Sequence, residues 1–277
     1  MSLATLSLAH RAARAVAGLA ACTLCARRCG ADRTQGIRRA TCQTGRLAKV
    51  AWWGEWADAP AGLEGAGAIL FAGCNLRCLA CSTWQASWEG EGREVTAREL
   101  ADIMLALQAE GRTHLALVSP SHVPAQILEA LALAEGLTMK LVWDSGGYDS
   151  VETLALFEGL VEVYVPDVKH GDAAAARVCT GVADYPQVNR RVVAEMIRQV
   201  GLEKVILRHL VLPNGLAGTE LAMAGLAAGT RVEARGDYQP LFRAYRMAKL
   251  NRPVTGEELA EARAYLPPPV PPEKGER

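Results

Sequence analysis

Several things this chain lacks narrow its reading before any motif is considered. Lys plus Arg and Asp plus Glu both number 30, so there is no net charge and no overall field to draw the protein to nucleic acid or to an anionic membrane surface. A small or locally recognised substrate fits better. No uninterrupted apolar stretch approaches the ~20 residues that span a bilayer. The one leader-like run, Leu3 to Ala9, has its basic residues His10, Arg11 and Arg14 after it, whereas a secretory leader carries them first. Leu3, Leu6, Ala9, Ala13, Val16 and Leu19 fall instead on one face of an amphipathic helix. Of the eight cysteines, all but Cys179 are grouped, and they do not form the even framework of a short secreted protein, which reads as metal ligands in a reducing compartment. A soluble, cytoplasmic protein with no nucleic-acid or membrane partner is expected.

Two cysteine groups are present. Cys74-Asn-Leu-Arg-Cys78-Leu-Ala-Cys81 follows the apolar run Ala68 to Phe71. Three thiols on a loop leaving a strand can serve one face of an iron–sulfur cluster and leave its fourth iron for a small molecule, since protein clusters ordinarily take four thiolates. The alternative is a zinc knuckle or reduced core cysteines, although closed zinc sites want four ligands. Cys22-Thr-Leu-Cys25-Ala-Arg-Arg-Cys29, with Cys42 beyond a turn-rich stretch, forms the second group. Four thiols can close a tetrahedron about zinc or hold a fully ligated cluster, and spacing alone leaves both open.

From Gly67 the pattern alternates apolar runs with helical ones. Strands are predicted over Ala68–Phe71, His114–Val118, Met139–Trp143, Leu160–Val165, Lys204–Leu212 and Arg231–Ala234. Between them, Thr96-Ala-Arg-Glu99 is a capping box, Pro124 opens a helix, Ser150 caps the next, and helices are predicted from about Val188 and Leu221. Six strands separated by helices imply a parallel sheet with right-handed crossovers, open or forming a partial barrel. Sites in such folds lie at the carboxyl ends of the strands. There the sequence places the cysteine loop, Ser119-Pro-Ser-His122, Asp144-Ser145, Asp167-Val-Lys169, Arg208 and Asp237-Tyr238. Trp52, Trp53 and Trp56, on a strand before the connecting loop, are expected to pack the N-terminal module against the main domain. A helix capped by Thr255 and Glu258 precedes a Pro-rich stretch, 267–277, with nothing to bury.

These motifs resemble the radical S-adenosylmethionine (SAM) activating enzymes typified by pyruvate formate-lyase activating enzyme, above all their homologues with an N-terminal cysteine module. Gly73-Cys-Asn-Leu-Arg-Cys78, Val165-Pro-Asp167-Val-Lys169 and Arg208-His-Leu-Val-Leu-Pro213 carry the resemblance. It implies a partial (β/α)6 TIM-like barrel over 67–266, with a metal-binding module over 1–66. It also implies a 4Fe-4S cluster on Cys74, Cys78 and Cys81 and SAM on its open iron. Asp144 and Ser145 would be the family's aspartate-hydroxyl pair in the SAM site, Asp144 and Asp167 would help hold a cation beside SAM, and Lys169 and Arg208 would lie near its carboxylate. The implied activity is reductive cleavage of SAM to a 5'-deoxyadenosyl radical, fed by reduced flavodoxin or ferredoxin. Hydrogen would then be abstracted from a glycyl-radical enzyme or another protein, peptide or metabolite. The rival is a non-catalytic metal-binding protein. Departures from the family pattern are Ala80 where an aromatic usually precedes the third cysteine, Ser82-Thr83 in place of Gln-Asn, no Gly-Gly-Glu loop, and Tyr238 in place of a histidine.

Overall fold

The computed structural model describes residues 5–37 and 39–268. Residues 269–277, and with them most of the Pro-rich tail, lie outside the described residues, as does Leu3, the first position of the predicted N-terminal helix. That helix, α1 (Leu8–Ala17), is capped by the Ser7 hydroxyl, which accepts from the His10 amide.

The central sheet contains β1 (Ala48–Glu55), β2 (Gly67–Phe71), β3 (Arg93–Val95), β4 (His114–Val118), β5 (Lys140–Ser145) and β6 (Val161–Pro166), in the order β3-β1-β2-β4-β5-β6. β2, β4, β5 and β6 run parallel, while β1 lies antiparallel to both β2 and β3. A further parallel pair, β7 (Ile206–Leu210) and β8 (Arg231–Arg235), continues the array. It meets β6 and the residues just after it through the isolated bridges Tyr164 to Val205 and Asp167 to Arg208. All six predicted parallel strands are therefore present, and the fold is α/β with a mostly parallel sheet.

The helices follow from local chemistry. In α2 (Ala97–Ala109) both halves of the Thr96/Glu99 capping box form, and Leu100, Ile103, Met104 and Leu107 are buried on one face. Pro124 occupies the first turn of α3 (Pro124–Leu133), where its missing N–H costs nothing. After the short α4 (Val151–Leu154) come α5 (Ala173–Thr180), α6 (Tyr185–Val200), α7 (Thr219–Met223) and α8 (Gly256–Ala264). The helix predicted around Leu221 is thus displaced toward its N-terminus and cut short at Met223.

The tryptophans depart from expectation. Trp52 and Trp53 are 45% and 43% exposed, because β3 pairs only with Ala48 to Val50 of β1 and leaves the rest of that edge uncovered. Trp56 alone is buried, and it packs with Ala68, Ala116, Val142, Val165 and Ile206, one inward residue from each of five parallel strands. The N-terminal segment is joined to the main domain by packing Ala12, Ala15, Leu19 and Leu24 into its core, and by hydrogen bonds. Cys25 forms a bridge with Asp149, Arg27 Nε donates to the Asn75 carbonyl, Arg77 Nη2 to that of Thr41, and Arg46 pairs with Glu129.

The loop between β1 and β2 crosses toward β8. Its Asp58 pairs with Arg208 and Arg235, and its Ala61 carbonyl accepts from Arg231. A cavity of about 300 Å3 opens there, lined by Asp58, Pro60, Arg208, Glu233, Arg235 and Asp237.

Candidate metal and cofactor site

The cysteine loop leaves β2 through Gly73, whose φ of +82° suits glycine. A Cβ here would also stand 2.2 Å from the Cys42 carbonyl oxygen and 2.8 Å from Thr44 Oγ1, so the two cysteine groups adjoin at this point. The Leu76 amide donates to Cys74 Sγ at 3.4 Å, Cys81 Sγ and Ser87 Oγ lie 3.0 Å apart, and Trp88 Nε1 donates to the Cys78 carbonyl at 2.9 Å. Burial pushes the Cys74 thiol up to about 11, and the charge of Cys81 adds to that. Cys78 is raised further, again first by burial, then by Cys74 and Cys81 against the pull of Lys169. Thiols this reluctant to ionise stay protonated unless a cation takes the place of the proton.

Among the described residues no three His, Cys, Asp or Glu side chains are placed to hold one metal ion. An iron–sulfur cluster spreads its thiolates farther apart than a single ion does. The mutual influence of these three thiols is compatible with that wider spacing.

Beside the loop, at the ends of β5 and β6 and within β7, lie the predicted carboxylates and cations. Asp144 Oδ2 is 3.4 Å from Arg208 Nη1, and Asp167 Oδ2 pairs with Lys169 Nζ. Asp144 is pushed up to about 7, by burial first and then by Asp167, while Arg208 works in the other direction. Burial opposes charge on Lys169, but Asp167 and Cys78 outweigh it and hold the ammonium well above its usual pKa. Arg208 also faces Asp58 and Glu233, at 3.7 and 3.6 Å, yet its buried Nε has no hydrogen-bond partner. Ser145 does not join this group. Its hydroxyl donates to Asp149 Oδ2 at 2.6 Å and accepts from the Gly147 amide.

The four N-terminal cysteines lie within electrostatic reach of one another, although no three of them are placed to hold one metal ion either. Burial pushes the Cys25 thiol up to about 12, with Cys42, Cys22 and Cys29 each contributing. Of the four, Cys22, Cys25 and Cys42 are buried and Cys29 is exposed.

Two further rim residues, Tyr185 and Asn189, were not evident from the sequence. The Tyr185 hydroxyl accepts from the Lys169 amide at 3.0 Å and donates toward the carbonyls of Gly146 and Asp167. Asn189, one turn on, donates to the carbonyls of Gly147 and Asp167. Together they clamp the β5 and β6 loops from α6. Their four-residue spacing on one helix face is the signal that could have found them. His122, buried, approaches the Ala72 carbonyl at 2.9 Å through Nε2. Trp84 stacks on Phe242, and Arg243 lies over Trp88. Ala80 packs with Cys179, Leu212 and the buried Tyr238, whose hydroxyl donates to the Leu250 carbonyl.

No family model matches the chain. It is 28% identical over 207 residues to an uncharacterized protein, MJ0674, of Methanocaldococcus jannaschii, covering 70% of this chain and spanning 60% of that protein's length. Among solved structures it is similar to a radical SAM methyltransferase from Sphaerobacter thermophilus, with TM-score 0.46 and 14% identity over 97% of this chain and 94% of that one. It is also similar to TYW1 with a lysine-pyruvate adduct bound, with TM-score 0.45 and 11% identity over 74% and 76% of the two chains. No helix among the described residues is long and apolar enough to cross a membrane.

Proposed function

We propose that this protein is a radical SAM enzyme, built on a partial (β/α)6 barrel with a metal-binding N-terminal module. The observation that carries the reading is the rim loop of Cys74, Cys78 and Cys81, three mutually coupled thiols set beside the Asp144–Arg208 and Asp167–Lys169 pairs. The three thiols would hold a 4Fe-4S cluster. When bound, the cluster and SAM would supply one-electron cleavage of the sulfonium to methionine and a 5'-deoxyadenosyl radical.

The chain's own contribution is orientation and charge. Lys169 and Arg208 are the cations at hand for the methionyl carboxylate, and Asp144 and Asp167 the oxygen donors for a hard cation. Trp56 seals the inner wall below the rim with a large apolar surface and keeps water from that side. Cys22, Cys25, Cys29 and Cys42 would hold a second centre, zinc or iron–sulfur. A reduced flavodoxin or ferredoxin would supply the electron in the cytoplasm. The substrate class favoured by resemblance is a protein backbone, as in activation of a glycyl-radical enzyme, with a peptide or metabolite as the runner-up.

Anaerobic reconstitution with iron and sulfide, followed by dithionite and SAM, tests the reading. Formation of 5'-deoxyadenosine is expected. Protein with a filled cluster that neither binds nor cleaves SAM would establish the rival, a metal-binding protein without catalysis. Ala80, packed among apolar side chains where the family pattern has an aromatic, is the feature that favours that rival.

A further inference from the structure

Arg33 is one of the most deeply buried side chains in the molecule, at 1% exposure, and its surroundings are unusual for a cation. Nε donates to the Thr44 carbonyl at 2.7 Å, Nη1 to the His122 carbonyl at 2.7 Å, and Nη2 to the Gly45 carbonyl at 3.4 Å. Its remaining contact is Nη1 to Cys22 Sγ at 3.5 Å. Carbonyls satisfy the N–H groups of a guanidinium but do not neutralise it. An uncompensated buried cation costs several kcal/mol.

The nearest acids are committed elsewhere. Asp32 is exposed and turned back on Thr34. Asp149, whose backbone meets Cys25, gives its carboxylate to Ser145 and Trp143. Arg27, inside the Cys25–Cys29 loop, repeats the pattern, since its Nε donates to the Asn75 carbonyl and its Nη2 is buried without a hydrogen-bond partner. Arg33 is thus buried against Cys22 without a carboxylate among its contacts. The anion that would balance it is the cysteine set itself. Four thiolates around zinc, or around an oxidised 4Fe-4S cluster, leave an excess of about two negative charges.

We infer that Arg33 is the counter-charge of a dianionic tetrathiolate centre at Cys22, Cys25, Cys29 and Cys42, and the positioning residue that joins this centre to the rim. This rests on the second centre of the reading above. The same Nη1 that meets Cys22 also donates to the His122 carbonyl, and the His122 ring meets the carbonyl of Ala72. Ala72 stands two residues before Cys74. One buried guanidinium therefore spans the second centre and the base of the cluster loop, while the Cys42 carbonyl seats against Gly73 on the other side.

The test is a cycle on the full chain: parent, Cys22→Ser, Arg33→Met and the double variant. Each is reconstituted anaerobically with iron and sulfide or with zinc, then assayed for metal per chain under chelator challenge and for thermal midpoint. Arg33→Met should weaken retention of the quartet's metal at least tenfold, and Arg33→Lys, which keeps the charge, should recover part of the loss. Cys22→Ser should lower the midpoint, and adding Arg33→Met to it should raise the midpoint again, because the uncompensated cation has gone. If Arg33→Met alone does not fold while the double variant does, the coupling is shown in its strongest form. The inference is overturned if Arg33→Met lowers the midpoint equally in both backgrounds, if neither form folds, or if the parent's quartet takes up neither metal. Repeating the metal analysis in Cys78→Ala separates zinc from iron with sulfide at the quartet. None of these readouts depends on SAM cleavage, so failure here and failure of the radical reading are distinguishable.

Discussion

In the group Cys22, Cys25, Cys29 and Cys42, Cys22 meets a buried guanidinium, Arg33, whose other partners are backbone carbonyls, whereas Cys74, Cys78 and Cys81 face a rim where Arg208 and Lys169 each have a carboxylate partner. Both groups bury thiols that resist ionisation. Their surroundings are nonetheless opposite. A buried cation with no carboxylate partner beside a four-cysteine set suits a closed, permanently anionic centre. Paired acids and bases around a three-cysteine set can exchange partners, so a zwitterionic ligand that brings its own ammonium and carboxylate can displace them without leaving a charge stranded. Two sets of thiols within one fold are thus distinguished by what surrounds them more than by the thiols themselves.

The sharpest way to break that comparison is to delete one thiol from each set. Cys78→Ala is expected to abolish dithionite-dependent 5'-deoxyadenosine formation, because the loop offers no spare thiolate. Cys25→Ala should instead lower stability and metal content at the quartet while cleavage remains measurable. Equal effects in both assays would erase the distinction drawn here.

The wall beneath the rim comes next. Trp56→Ala removes the largest side chain of an apolar cluster drawn from five parallel strands, and large-to-small changes of this kind cost about 3–5 kcal/mol. Denaturant unfolding should register that loss, with metal at the quartet unchanged. A cost under about 1 kcal/mol would mean the inner wall does not depend on this plug.

The bridge between the two regions can be read by pH. Burial holds His122 down to about 4, so the unfolded chain binds a proton near 6.5 that the folded chain refuses. Its contribution to stability is complete above that pH and is lost as the pH falls toward 4. The loss is at most roughly 3 kcal/mol. His122→Gln should flatten this acid limb in part, since His170 is lowered to a similar value. An unchanged limb would show that His122 is not held neutral.

Much of this arrangement was legible in the sequence because it rests on periodicity and local chemistry. The six parallel strands alternate with helical patterns, Thr96 and Glu99 announce a helix start, and both cysteine groups show their spacing directly. Strand β3 escaped because three residues carry no period, and only pairing with β1 makes them a strand. Trp52 and Trp53 were misread for a related reason, since whether a strand face is covered depends on what lies beyond its edge. Arg33 was invisible among the arginines between Cys25 and Cys42. Burial, not residue type, sets it apart. Ser145 shows the converse, since a hydroxyl in the right motif turns to Asp149.

The smallest predicted effect bears most directly on whether the rim is an open site. Asp144 and Asp167 follow neighbouring strands, and Asp144 is pushed up to about 7 by burial together with Asp167, so near neutral pH a substantial share of it is protonated. A cation held between the two carboxylates would favour the ionised form. SAM binding by the parent should therefore weaken as the pH falls below about 7, when protons compete with that cation. Asp144→Ala and Asp167→Ala should weaken SAM binding and cleavage about tenfold or more, equivalent to about 1.4 kcal/mol, at matched cluster loading. Because Asp144→Ala also removes the titrating group, its binding should vary less with pH than the parent's, a signature that loss of packing alone would not produce. If both variants bind and cleave SAM as the parent does, these acids serve only their Arg208 and Lys169 partners, and the contrast with the quartet reduces to geometry.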